Sequence, residues 1–134
     1  QPTSPLRDHI EIQSAYSFFI EKKADFVASV CEVDHSPLLQ NILSDNLSLY
    51  QFIKSNDVNL PRQTLQNYYR LNGAIYIVKY NHLVSDSVLY NEKSFAYIMD
   101  KEKSIDIDDE IDFSIAEFLM CRNTEYGLSE RITK

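Results

Sequence analysis

Glycine is almost absent. Gly73 and Gly127 are the only two in 134 residues, so no glycine-rich loop is at hand to cradle a triphosphate. Cysteine is equally scarce: Cys31 and Cys121 are too few and too far apart for a disulfide framework or a zinc knuckle. Two buried thiols in a reducing cytoplasm are expected instead. The three histidines, His9, His35 and His82, share no metal-ligand spacing. Nothing has the form of a nucleophile elbow, and no cysteine has a histidine beside it in the sequence. No apolar run is long enough to span a membrane, and no stretch has the make-up of a signal peptide. Basic residues are in the minority, 13 against 20 acidic, for a net charge of −7. That balance argues against a general surface for nucleic acid or anionic lipid. There is no internal repeat and no low-complexity segment.

What is present reads as one α/β domain with a single core. Gln1 to Arg7 holds two prolines and is not helical. Asp8 then opens a helix, with Glu11 placed as in a capping box. Ile12, Ala15, Tyr16 and Phe19 give it one apolar stripe, and Lys22 and Lys23 suit its C-terminal end. Phe26 to Val33 is a strand rich in β-branched residues. Leu39 to Leu43 and Leu47 to Phe52, about a Ser44-Asp45-Asn46 turn, read as a hairpin. From Lys54 to Tyr69 no period holds, and Pro61 rules out a long helix; such a stretch is usually functional or leans on a partner. Ala74 to Val78 is a strand, Asn81 is expected to cap a short helix through Val84, and Phe95 to Met99 is another strand. Ile105 to Ile107 reads as the last strand, and a closing helix as Asp109 to about Cys121, followed by a polar, loose tail.

Seven of the acids lie between Asp100 and Asp112. Strand alternation from Ile105 to Asp108 puts Asp106 and Asp108 on one face, with Ile107 turned into the core. Two such carboxylates suit magnesium, which takes one or two protein carboxylates and completes its shell with water and phosphate oxygens. A second reading has Asp108 cap the following helix, with Asp109, Glu110 and Asp112 favouring its N-terminal end. On these residues alone the two readings stand level. Arg62-Gln63 and Arg70 with Asn72 are donors suited to a carboxylate or phosphate, though a solvated surface explains each singly. Tyr68 and Tyr69 suit a core or a dimer contact as well as a sugar platform.

Four motifs, taken together, narrow the field. Gln1-Pro2-Thr3-Ser4-Pro5-Leu6-Arg7, Pro61-Arg62-Gln63, Arg70-Leu71-Asn72-Gly73-Ala74-Ile75-Tyr76-Ile77 and Asp106-Ile107-Asp108 occur in the order and spacing of the acylneuraminate cytidylyltransferases, the CMP-sialic acid synthetases. The chain resembles that family from Gln1 to about Leu119. The resemblance implies a magnesium-dependent nucleotidyltransferase (manganese serving as a substitute) that uses CTP to activate a nine-carbon 2-keto sugar acid and releases pyrophosphate. It implies a fold of the C-terminal half of a Rossmann-like nucleotidyltransferase domain over residues 1–122. A dimerisation arm would protrude over about 39–69, and 123–134 would be the polar tail. Asp106 and Asp108 would be the catalytic metal ligands. Gln1 and Tyr76 would contact the sugar, with Gln63, Arg70 and Asn72 as further substrate contacts. Arg62 would reach the neighbouring subunit's sugar within a homodimer.

Leu39 stands where close relatives can carry a lysine for the sugar carboxylate. Leu89 and Tyr90 stand where the family has an aromatic pair flanking the sugar, which points to a sialic-acid relative such as legionaminic or pseudaminic acid. The strand and basic, glycine-containing loop that bind CTP in the family do not appear in this sequence. The chain is therefore expected to be the C-terminal half of such a cytoplasmic enzyme and inactive alone. The alternative is a non-catalytic dimerisation or sugar-acid-binding module, with no role for nucleic acid or membrane in either case.

Overall fold

The computed structural model describes residues 1–53, 66–84 and 89–132, with side-chain surroundings given as far as 122. The expectations placed on Pro61, Arg62 and Gln63 lie outside the described residues. The chain divides into two compact units, residues 1–31 with 71–134, and residues 32–70.

In the first unit the helix α1 (His9–Glu21) begins where the sequence expects it. The Asp8 carboxylate accepts the Glu11 backbone N–H at 2.9 Å, satisfying one of the donors a helix start leaves unpaired. Of its expected stripe, Ala15 and Phe19 are buried, while Ile12 and Tyr16 stay exposed. The helix packs against the strand β3 (Ser94–Ile98). Phe18 meets Phe95 edge-on and lies tilted against Tyr97.

The sheet has three strands in the order β2-β1-β3, with β1 (Phe26–Glu32) in the centre and β2 (Tyr69–Val78) on one side. β1 and β3 are parallel, with Val27 opposite Phe95 and Ser29 opposite Tyr97. β2 is antiparallel to β1: Lys79 N–H bonds to Asp25 O, and Ser29 is bonded to Ile75 further along. The mixed sheet thus presents Val27, Phe95 and Tyr97 to α1, where they close a core with Phe19, Ala24 and Ile77. At the sheet's lower end Asp25 pairs with Lys79 at 2.5 Å and with His82 at 3.3 Å, tying β1 to the short helix α2 (Tyr80–Val84). No helix among the described residues is long and apolar enough to cross a membrane.

Several sequence expectations are corrected. Asn81, expected to cap the short helix, is the second residue of α2. Residues 105–107 are not a strand: a short 3-10 turn, Glu102–Ser104, leads into extended backbone. There Ile107 N–H bonds to Thr3 O at 2.8 Å instead of joining the ladder. Nor do residues 39–52 form a hairpin. That stretch in the second unit is a 3-10 turn, Pro37–Leu39, followed by irregular turns. Ser44 Oγ and Asn46 Oδ1 both accept the Ser48 N–H, at 3.1 Å each. Such local side-chain bonds compete with strand pairing, and the left-handed φ of 59° at both Leu47 and Gln51 prevents an extended run. Finally, α3 (Glu110–Ile132) continues well past Cys121 through what the sequence assigns to a loose tail. Cys31 is buried as expected, whereas Cys121 is exposed.

Lys103 donates to Glu11 at 2.7 Å and to Asp8 at 3.1 Å, joining the start of α1 to the turn before Asp106. The Glu11 N–H beside the Asp8 carboxylate, helped by Lys103, holds its pKa below the usual 3.8. Asp8→Ala should therefore cost about 1 kcal/mol of stability at neutral pH, as lost N-caps do. Because the folded-state value is depressed, the difference should persist above pH 3.8 and disappear as pH falls through the lower folded value. Urea denaturation of both proteins between pH 2 and 7 checks the effect and its direction.

Candidate functional site

One side chain at the top of β2 organises its surroundings. Asn72 is 1% exposed. Its Oδ1 accepts from Ser29 Oγ of β1 at 2.5 Å and from Ala74 N–H at 3.2 Å. Its Nδ2 donates to Ser104 Oγ at 2.8 Å and more weakly toward the Met99 sulfur at 3.6 Å. Ser29 Oγ also accepts Ile75 N–H, and Ser104 Oγ donates to Asp100 O. Asn72 thus links two strands and a turn, and its polar atoms are all committed inside the protein. In this position it holds the backbone of β2 against β1 and the turn.

The residue after it makes this geometry available. Gly73 has φ +70°, a conformation few side-chain-bearing residues adopt. The two-residue alternation of the strand breaks there, and Asn72 to Ile75 are buried in succession. A Cβ at Gly73 would lie 2.2 Å from Gln1 Oε1 and 3.5 Å from Asp106 Oδ2. Gln1 and Asp106, 105 positions apart in sequence, therefore meet over the bare face of this glycine. Gln1 N donates to Gly73 O at 3.3 Å, and Ile107 N–H bonds to Thr3 O at 2.8 Å. A closed circuit results: Gln1 to Gly73, Asn72 to Ser104, along the chain through Asp106 to Ile107, and back through Thr3. Arg7 secures the loop by donating to Gln1 O and Ser4 O.

Within this circuit, Asp106 Oδ1 is buried and has no hydrogen-bond partner among the described residues. An unsatisfied buried carboxylate oxygen is costly, and a bound cation is one way to meet it. The helix-cap alternative for Asp108 is also decided. Asp109 Oδ1 accepts from Ile111 N–H and Asp112 N–H, and Asp112 Oδ2 accepts from the N–H groups of Asp108 and Asp109. The reciprocal cap belongs to Asp109 and Asp112, leaving the exposed carboxylate of Asp108 outside it. Among the described residues no group of three or more histidine, cysteine or acidic side chains could hold a metal. Asp106 Oδ1 is buried and Asp108 is exposed, on a segment that joins no strand ladder; carboxylate oxygens of this kind suit a hard ion that keeps water and phosphate oxygens in its shell.

On the sheet face opposite α1, Phe26 stacks on Tyr76 with ring centres 6.2 Å apart and receives Tyr90 edge-on at 5.3 Å. Phe26, Ala28, Val30, Leu71, Tyr90 and Ala96 line most of a cavity of about 230 Å³. The expected sugar-contact residues Tyr76 and Tyr90 are thereby gathered around one buried ring. Leu89 is exposed beside Tyr90, and its carbonyl accepts from Ser94 Oγ at 2.6 Å. In the second unit Arg70 is exposed, and Leu39 borders a separate cavity of about 260 Å³ with Asp34, His35 and Asn67. Gly73, Ser29, Ser104 and Phe26 escaped the sequence reading. Gly73 alone had a visible signal, as one of two glycines and one inside a strand pattern.

Gly73→Ala should lower stability by about 1–3 kcal/mol through backbone strain and push the Gln1 side chain away from Asp106. Chemical denaturation reads the first effect. The resonance of the Gln1 side-chain amide, compared between the two proteins by NMR, reads the second.

Comparison with known proteins gives the lineage of this arrangement. No protein-family model matches the chain. It is 34% identical over 113 residues, 84% of its length, to an N-acylneuraminate cytidylyltransferase of Streptococcus agalactiae. It is also 34% identical over 118 residues to the enzyme of that name from Escherichia coli. It spans 27% of the length of each. A CMP-N,N'-diacetyllegionaminic acid synthase of Campylobacter jejuni is 35% identical over 69 residues, 51% of this chain and 29% of that protein. Over most of its length, then, the chain is a relative of one segment of the N-acylneuraminate cytidylyltransferases, as its motifs indicated.

Proposed function

We propose that the complete gene product carrying this chain is a cytidylyltransferase that joins CMP from CTP to a nonulosonic acid of the sialic type. The observation that carries the reading is the meeting of Gln1, Gly73 and Asp106, with no partner for Asp106 Oδ1 among the described residues. The names of the relatives, which include both sialic-type and legionaminic-type enzymes, support the substrate class. The anomeric hydroxyl of the sugar acid attacks the α-phosphorus of CTP, the bond to the β-phosphate oxygen breaks, and pyrophosphate leaves. Asp106 and Asp108 would hold magnesium, or manganese in its place, which when bound offsets charge on the phosphate oxygens. Gln1 orients the sugar through its amide, and Tyr76 with Leu89 and Tyr90 lines its apolar side. Arg70 and Gln63 serve as donors to anionic groups. A cytoplasmic setting, where CTP is available, is part of this proposal.

The second unit has the character of a dimerisation arm. Ile42 is 92% exposed, and Leu47, Leu49 and Tyr50 are also largely exposed; a symmetric partner would cover such a patch. Arg62 on that arm would then serve the site of the other subunit, so that catalysis needs the homodimer.

In the complete gene product, Asp108→Ala should reduce metal-dependent CTP turnover on the order of 10²-fold or more. Retention of turnover would leave Asp108 without a role. Residues 1–134 alone, which have no glycine-rich phosphate loop, should release no pyrophosphate from CTP. For the arm, Arg62→Ala and Asp108→Ala homodimers should each be nearly inactive. After subunit exchange, half the dimers are mixed and about a quarter of all sites regain both residues. A mixture as inactive as its parents, with exchange verified by mass spectrometry, would place Arg62 within its own chain or outside the reaction.

A further inference from the structure

We infer that Ser29, Asn72 and Ser104 are positioning residues for the Asp106 carboxylate: a buried polar strut that sets its distance from Gly73 and Gln1. The inference rests on the reading of Asp106 as a cation ligand, and adds to it three side chains that touch neither substrate nor cation.

Three observations converge on it. First, the strut is buried throughout, with Ser29, Asn72 and Ser104 each no more than 1% exposed. Its hydrogen bonds are shielded from water, where they hold geometry most firmly. Second, it ends beside the site at both extremities. Asn72 immediately precedes Gly73, whose α-carbon faces Gln1 and Asp106. Ser104 precedes Asp106 by two residues and is bonded to Asn72 at 2.8 Å. Third, residues 105–107 have no strand ladder of their own. Their position is fixed from outside: by Ser104 before Asp106 and by the Ile107–Thr3 bond after it. Remove the Asn72–Ser104 bond, and the near side of the Asp106 segment loses its tie to β2.

An apolar core could fill the same volume, but it would not fix the register of a non-ladder segment against a strand. Directional hydrogen bonds do so, because each side-chain amide accepts only a narrow set of partner positions. Ser29 extends the strut to the central strand. It binds both Asn72 Oδ1 and the Ile75 backbone, so the asparagine cannot swing without breaking a bond to β1. The roles divide cleanly: Asp106 presents the charge, and the strut decides where that charge stands.

The test uses the complete gene product and Mn²⁺ alone as the probe, with free Mn²⁺ followed by electron paramagnetic resonance. Asp106→Asn, Ser104→Ala and Ser29→Ala are compared with the parent, and Ser104→Ala is repeated in the Asp106→Asn background. Ser104→Ala should weaken Mn²⁺ binding about tenfold, at the low end for groups that orient a metal ligand. It should have no further effect once Asp106 is replaced. Ser29→Ala should act in the same direction by a smaller factor. Should Ser104→Ala not fold, Ser104→Cys keeps nearly the same volume with a weaker acceptor for the Asn72 amide and is read in the same way. If Asp106→Asn weakens Mn²⁺ binding while the serine variants only lower the melting temperature, the strut is structural and the inference is overturned. If Asp106→Asn itself leaves Mn²⁺ binding unchanged, the cation reading fails instead, and the positioning role falls with it.

Discussion

The arrangement depends on one asparagine being fully paired in a place without water. Asn72 has its oxygen and both amide hydrogens engaged by groups from β1, β2, the end of β3 and the turn before Asp106. A buried amide left half-paired costs about 1–3 kcal/mol, so these elements settle where they satisfy it together. Much of the local geometry follows from that demand. The strand's alternation breaks at Gly73, the turn at Ser104 closes against Asn72, and the N-terminal loop bonds to Gly73 through Gln1.

Residue patterns made the regular parts of the chain legible. Asp8 and Glu11 marked the start of α1 because capping is a local event, complete within a few residues. Phe26 to Val33 read as a strand because β1 is the central strand, buried on both faces. The motif comparison found the lineage from four stretches in order, of which Gln1 to Arg7 and Arg70 to Ile77 are long and specific, whereas Asp106-Ile107-Asp108 alone would be weak. Local pattern failed where the deciding partner is remote. Ile105 to Ile107 alternate as a strand does, but their backbone is taken up by Thr3, about a hundred residues earlier. Leu39 to Phe52 have the apolar content of a hairpin, yet Ser44, Asn46 and Ser48 bind the backbone before any ladder can form.

The acidic run shows the same division of labour at finer scale. Sequence offered two uses for Asp108, and they were indistinguishable because Asp108, Asp109 and Asp112 all stand near a helix start. The fold separates them by a single residue. Asp109 and Asp112 satisfy the first turn of α3 between themselves, and Asp108 is left with an exposed carboxylate. The helix start is thereby satisfied without calling on the Asp108 carboxylate. The aromatic side of the region was less visible. Phe26 reads as an ordinary core residue, and only the sheet register puts it between Tyr76 and Tyr90.

Gly73 also has a consequence for how such chains diverge. Its bare α-carbon lies where the Gln1 side chain rests on β2. A residue with a β-carbon there would push the Gln1 amide aside and carry the strain of a positive φ. A lineage that drifted at this position would lose the meeting of Gln1 with Asp106. A glycine at position 73 is thus what leaves room for the Gln1 amide against β2, next to Asp106.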